Sequence, residues 1–192
     1  MLKSSLSNQP GFVAMIMELV LLTVCMLAIP AAVAIDVLVF NHGLKEVSLT
    51  EFSQSVLLLV SMVCIGMAAW RNTVSRGLMV LVAGLFAAML IRETDKFLDT
   101  ISQGFWVYPA VIVSAVAIVI AVRLRGTLIK SMVDFAATRQ FTYLAIGLLL
   151  VVVFSRAFGS GWFWAKIMGE DFHRLYKTIM QEGLELLGYV LI

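Results

Sequence analysis

Between Phe12 and Ile35 the chain carries one charged residue, Glu18, and further apolar stretches follow, separated by short polar connections. A helix needs about 20 apolar residues to cross the hydrocarbon core of a bilayer. In lipid every backbone polar group must be satisfied inside its own segment, so such a chain folds as a helical bundle. Composition agrees: 61% of the 192 residues are apolar and 14% charged, against roughly a quarter charged in soluble domains. The expectation is an all-α polytopic membrane protein, one domain over 1–192, with six transmembrane helices at about 12–36, 50–70, 76–100, 105–123, 141–157 and 173–192.

Local signals fit these spans. Pro30 should kink the first helix near its end. Ser48-Leu49-Thr50-Glu51 has the pattern of a capping box opening the second, and Pro109 falls in the first turn of the fourth. Between the fourth and fifth, Leu128, Ile129, Met132, Val133 and Ala136 recur at helical spacing with Lys130, Ser131 and Asp134 on another face. That predicts a short helix lying in the membrane interface. Gly159-Ser160-Gly161 reads as the turn leaving the fifth helix. Lys3, the apolar stretch and Ala32-Val33-Ala34 resemble a signal peptide, but Glu18 and the length of the stretch favour a retained first span.

A net charge of +2 and the lack of a basic face with interleaved aromatics argue against a nucleic-acid partner. Cys25 and Cys64 match no metal or redox spacing and read as packing residues. Lys and Arg counts tie between the two sides of the bundle. The set Lys3, Arg71, Arg76, Arg123, Arg125, Lys130 and Arg139 lies in loops with one acid, Asp134, which marks the cytoplasmic side. Both termini are then expected inside, in a bacterial inner membrane.

The opposite side collects the acids: Asp36, Glu46, Glu51, Glu93, Asp95, Asp99, Glu170, Asp171 and, deeper, Glu182 and Glu185. Helix length decides how deep they lie. Gly77 to Ile91 extends about 22 Å at 1.5 Å per residue, short of a core about 30 Å thick. Arg92, Glu93 and Asp95 therefore remain within the membrane, while Lys96 and Asp99 approach the head groups. Helical spacing puts Arg92, Asp95, Lys96 and Asp99 on one face, with pairs expected between Arg92 and Asp95 or Asp99 and between Glu93 and Lys96. In the last helix Thr178, Glu182, Glu185 and Tyr189 form a stripe, with both carboxylates near mid-depth. Each charge there costs about 3 kcal/mol or more if it faces lipid, so the stripe faces the bundle. Glu18 could meet Glu185.

The candidate catalytic groups are Glu93, Asp95, Glu182 and His173. Arg92, Lys96, Arg156, Arg174, Lys177, Gln181 and Glu185 are candidates for holding a ligand, the cations suiting a phosphate or carboxylate head group. A divalent metal would draw on His173, His42, Asp95 and Glu182, although no ligand motif supports one. No nucleophile motif surrounds Ser155 or Ser160. These residues support three readings. The first is a binding or accessory membrane protein recognising a polar or lipid head group, a membrane-protein partner or a second copy. The second is a membrane-embedded hydrolase or transferase acting on a lipid. The third is a proton- or cation-linked transporter using Glu18, Glu182 and Glu185. The inverted-repeat logic of small transporters would put the charges of the third and sixth helices on opposite sides, and here they share one.

Overall fold

The computed structural model describes residues 11–39, 48–72 and 74–192. His42, Lys45 and Glu46 fall outside these residues. Every regular element among the described residues is helical. The chain forms α1 (Phe12–Leu38), α2 (Leu49–Arg71), α3 (Arg76–Glu93), the single turn α4 (Asp95–Leu98) and α5 (Val107–Arg123). It continues as α6 (Arg125–Ala136), α7 (Arg139–Leu149), a π segment (Leu150–Phe154), α8 (Ser155–Phe158), α9 (Gly161–Met168) and α10 (Arg174–Leu191).

Among the described residues three helices are long and apolar enough to cross a membrane: Phe12–Leu38, Leu49–Arg71 and the continuous Arg139–Phe158. A fourth is reached if α5 and the following Leu128–Ala136, bent by 106°, count as one span. The other two expected spans are more polar. α3 includes Arg76, Arg92 and Glu93, and α10 includes Arg174, Lys177, Glu182 and Glu185.

Two details of α1 and α2 fix the first hairpin. Pro30 lies within a continuous α1. Asp36, buried near the end of α1, accepts hydrogen bonds from Leu49 N at 2.7 Å, Thr50 N at 2.8 Å and Thr50 Oγ1 at 2.6 Å. It thereby satisfies orphan donors of the next helix across the connection. Ser48 caps α2 as its pattern predicts, accepting from Glu51 N at 3.1 Å.

The third helix is shorter than expected. Thr94 Oγ1 donates to the carbonyls of Leu90 and Ile91, a back-bond that competes with the helical ladder. The chain kinks there into α4. Asp99 then accepts from Gly104 N at 3.0 Å, in a turn that uses the positive φ of Gly104, 79°, where a side chain would be strained. α6 packs under the start of α3, with Leu124 and Leu128 against Gly77. It leaves Ile129, Met132 and Val133 exposed, the apolar face expected of an interfacial helix.

Small residues set the closest crossings. A Cβ on Gly84 of α3 would lie 2.3 Å from that of Ala117 in α5. A Cβ on Gly188 of α10 would lie 2.5 Å from Val151 Cγ2 and 2.8 Å from the Gly147 carbonyl. Without a hydrophobic drive in lipid, such close approach is what holds helices together. Leu58, Val151 and Tyr189 form the core, flanked by Leu57, Met89, Leu90 and Ile192. Where the sequence predicts only a turn after the fifth span, α9 forms. Ser160 caps it, accepting from Phe163 N at 3.4 Å, and Phe163 and Trp164 pack on Phe158 of α8.

Candidate functional site

α2, α3, α4, α8 and α10 bring their polar residues to one end of the bundle, the end at which α3 finishes and α10 begins. The π segment contributes to this. It inserts an extra residue into the helical turn and so rotates α8 about the helix axis, a device frequent at functional sites. In α8 Ser155 is buried against α10, its hydroxyl within hydrogen-bonding reach of the Val151 carbonyl at 2.5 Å and of Glu185 Oε1 at 3.0 Å.

Glu185 is the hub. Only 3% of its side chain is exposed. Its Oε2 lies 3.3 Å from Arg92 Nη2, and its Oε1 lies 3.3 Å from Arg156 Nη2. Gln181 Nε2 donates to Oε1 as well, at 3.3 Å. Arg92 Nη2 also reaches Glu93 Oε1 at 2.8 Å, and the Tyr189 hydroxyl donates to that same oxygen. Tyr189 lies a turn past Glu185, and its side chain points back toward the helix N-terminus, as helical Cα–Cβ geometry dictates. Buried charges are tolerated only when paired and hydrogen-bonded, and Glu185 meets both conditions.

Two carboxylates are left without a cation. Glu182 Oε2 and the Glu182 carbonyl both accept from Gln54 Nε2 at 3.2 Å. Gln54 is fully buried, and its own Oε1 has no partner in the structure. No lysine or arginine stands within ion-pair distance of Glu182 or Asp95 among the described residues. Lys96 pairs with Glu51 of α2.

These groups surround a cavity of about 420 Å³. α3 and α4 supply Arg92, Glu93, Asp95 and Lys96; α8 and α10 supply Arg156, Gln181, Glu182 and Glu185; Glu51 and Trp106 complete the wall. Glu93, Asp95, Arg156 and Glu182 therefore line one cavity. His173 does not: it precedes the first turn of α10, exposed and outside the lining. Arg174 is exposed, and the Lys177 chain runs beside Gly161 at the start of α9. Among the described residues no three of His, Cys, Asp and Glu gather as a metal site requires, so His173, Asp95 and Glu182 form none.

Several expected contacts are corrected. Arg92 pairs with Glu93 and Glu185 rather than Asp95 or Asp99, and Lys96 with Glu51 rather than Glu93. The break at Thr94 explains this, because it removes the continuous helical face those pairings assumed. Glu182 and Glu185 also lie nearer the acid-rich end of the bundle than helix counting places them. α10 is displaced toward the acid-rich end, so that Ile192 lies beside Gly147, midway along the Arg139–Phe158 helix. Glu185 is level with Arg92 and Ser155, each about 24 Å from the arginine that opens its own helix. Glu18 does not reach it. It accepts from the Tyr143 hydroxyl at 3.0 Å and lies 3.6 Å from Arg139, about 18 Å along the helix from Ser155.

Sequence reasoning passes over Gln54, which holds Glu182 from behind the cavity wall. A signal for Gln54 is present: it stands one turn beyond Thr50 and Glu51, the last amide or charged side chain before the run Val56–Val60. Comparison with protein-family models, with curated proteins and with solved structures gives no match, so the chemistry of the cavity alone carries the functional argument.

Proposed function

We propose that the chain is a six-span protein of a bacterial inner membrane whose polar cavity faces outward and binds a polar or lipid head group. One observation carries the reading: Arg92, Glu93, Arg156, Gln181, Glu182 and Glu185, from three separate helices, line a single cavity. α3 and α10 complete the six spans, since each is 18 residues long and their charged ends meet one another. With the basic loops cytoplasmic, the cavity opens on the outer leaflet. Structural ion pairs alone would give little net stability, because desolvation offsets the attraction. A concave site with a few convergent polar groups is the usual form of a ligand pocket.

The test is a melting experiment on purified protein in detergent, with added phospholipids differing in head group. A bound head group raises the wild-type melting temperature, and Arg92→Ala, monodisperse on size exclusion, shows no rise. An equal rise in Arg92→Ala would place the ligand elsewhere and overturn the reading.

A membrane hydrolase or transferase is the second reading, favoured by Glu182. A carboxyl group with no cationic partner, at a cavity wall beside two arginines, is suitably placed for acid or base work on a bound head group. Transport has less support, since the apolar core of Leu58, Val151 and Tyr189 packs among the same helices and Glu18 is held elsewhere.

A further inference from the structure

We infer that the occupant is an amine-bearing phospholipid, its ammonium group held by Glu182 and Asp95, its phosphate by Arg156, and one acyl chain laid along α5 past Trp106. This rests on the head-group reading above and names the lipid class.

The charges of the cavity point to a cation. Its wall holds the carboxylates of Glu51, Glu93, Asp95, Glu182 and Glu185 against the cations of Arg92, Lys96 and Arg156. Arg92 and Arg156 are committed to Glu93 and Glu185, and Lys96 to Glu51. Among the described residues the wall carboxylates without an ion pair are Asp95 and Glu182. In a membrane an uncompensated charge is expensive, and a primary ammonium group, with three donors and no acceptor, complements them. The same cavity offers an anion one partner. Arg156, its side chain 49% exposed, touches Glu185 through Nη2 alone among the described carboxylates, leaving the rest of its donor fork for phosphate oxygens.

The chain path follows from Trp106. It belongs to the wall of the polar cavity and also to a second, apolar groove of about 320 Å³. That groove runs down α5 over Val107, Ala110, Val111, Ser114 and Ile118, which recur at helical spacing on one face. From Trp106 to Ile118 is about 18 Å along the helix, close to the depth of one leaflet, about half of the 30 Å core. A tryptophan at the junction of head group and chain suits its amphipathic ring. Among the described residues α3 and α5 make no close backbone contact with α7, α8 or α10, and side chains bridge the gap, Arg92 to Glu185 and Tyr189 to Glu93. A larger apolar groove between α1 and α10, over Pro30, Val33, Gly183 and Leu187, shares no wall residue with the polar cavity and is not continuous with it.

The experiment is native mass spectrometry of the full chain in detergent, with equal amounts of phosphatidylethanolamine, phosphatidylcholine and phosphatidylglycerol of identical acyl chains. The expected result is retention of phosphatidylethanolamine about tenfold above phosphatidylcholine, whose trimethylammonium has no N–H to donate, a factor matching one charge-assisted hydrogen bond. Glu182→Gln and Asp95→Asn each remove most of that preference, and Trp106→Ala weakens all three lipids. Asp95 is on the one-turn α4, where its side chain holds no ion pair, so Asp95→Asn keeps the test informative should Glu182→Gln fail to fold. Equal retention of the three lipids, or a preference unchanged in both carboxylate variants, overturns the inference. Preferred retention of phosphatidylglycerol that is lost in Arg92→Ala sinks the amine assignment and leaves the head-group pocket standing. Retention insensitive to every cavity substitution overturns both.

Discussion

Arg76 and Arg92 stand at the two ends of α3, and their guanidinium groups are satisfied in opposite ways. Arg76 donates from Nε to the Ala69 carbonyl at 3.0 Å and from Nη2 to the Trp70 carbonyl at 3.2 Å. Its acceptors are the orphan carbonyls that every helix leaves at its C-terminus, here those of α2 just before it in sequence. Arg92 instead lies against the carboxylates of Glu93 and Glu185, the second from a helix 93 residues further on. Arg76 is thus satisfied by local contacts between consecutive helices. The acid-rich end depends on tertiary partners, each of which leaves another charge stranded if removed. That asymmetry is expected where one end only shapes the fold and the other holds a site.

The largest expected effect is at Glu185. Glu185→Ala leaves Arg92 with Glu93 alone and takes from Arg156 its carboxylate among the described residues, and loss of one member of a buried ion pair costs about 3–5 kcal/mol. Denaturant titration of purified protein in detergent reads this, with Glu185→Gln recovering part of the loss through Ser155 and Gln181. If Glu185→Ala costs no more than Arg76→Ala, the contrast between the two ends disappears. Asp36→Ala comes next, at about 1–3 kcal/mol for leaving buried backbone donors unsatisfied; its titration midpoint should fall between those of the other two. Arg76→Ala should cost about 1 kcal/mol, a net hydrogen-bond contribution. The smallest effect belongs to Arg139→Ala, whose partner Glu18 is itself 39% exposed, and an exposed pair of this kind leaves the midpoint where it was.

The inward turn of the last helix is legible in the sequence, because helical spacing puts Glu182 and Glu185 on one stripe, and that stripe does face Arg92 of α3 and Arg156 of α8. Pairing is not legible. Helical spacing offers Arg92 the acids nearby in sequence, whereas the actual partner is fixed by where α10 docks, and that is set by Gly147 and Gly188 meeting across two helices. The height of α10 escapes for the same reason, since counting from one end of a helix assumes that the other end reaches the far surface. Asp36 is visible as an acid at a helix end, but its role depends on the connection folding back onto Leu49 and Thr50. The kink at Thr94 comes from a side-chain back-bond that no hydropathy pattern records.

Sidedness is the most direct test, because an outward cavity and cytoplasmic basic loops are one claim. With Cys25 and Cys64 replaced by serine, Asp95→Cys at the cavity wall and Asp134→Cys on α6 are each exposed in intact cells to a maleimide that cannot cross the membrane. The account predicts labelling of Asp95→Cys from outside and of Asp134→Cys only after the cells are permeabilised. Labelling of Asp134→Cys in intact cells, with Asp95→Cys protected until permeabilisation, would contradict it.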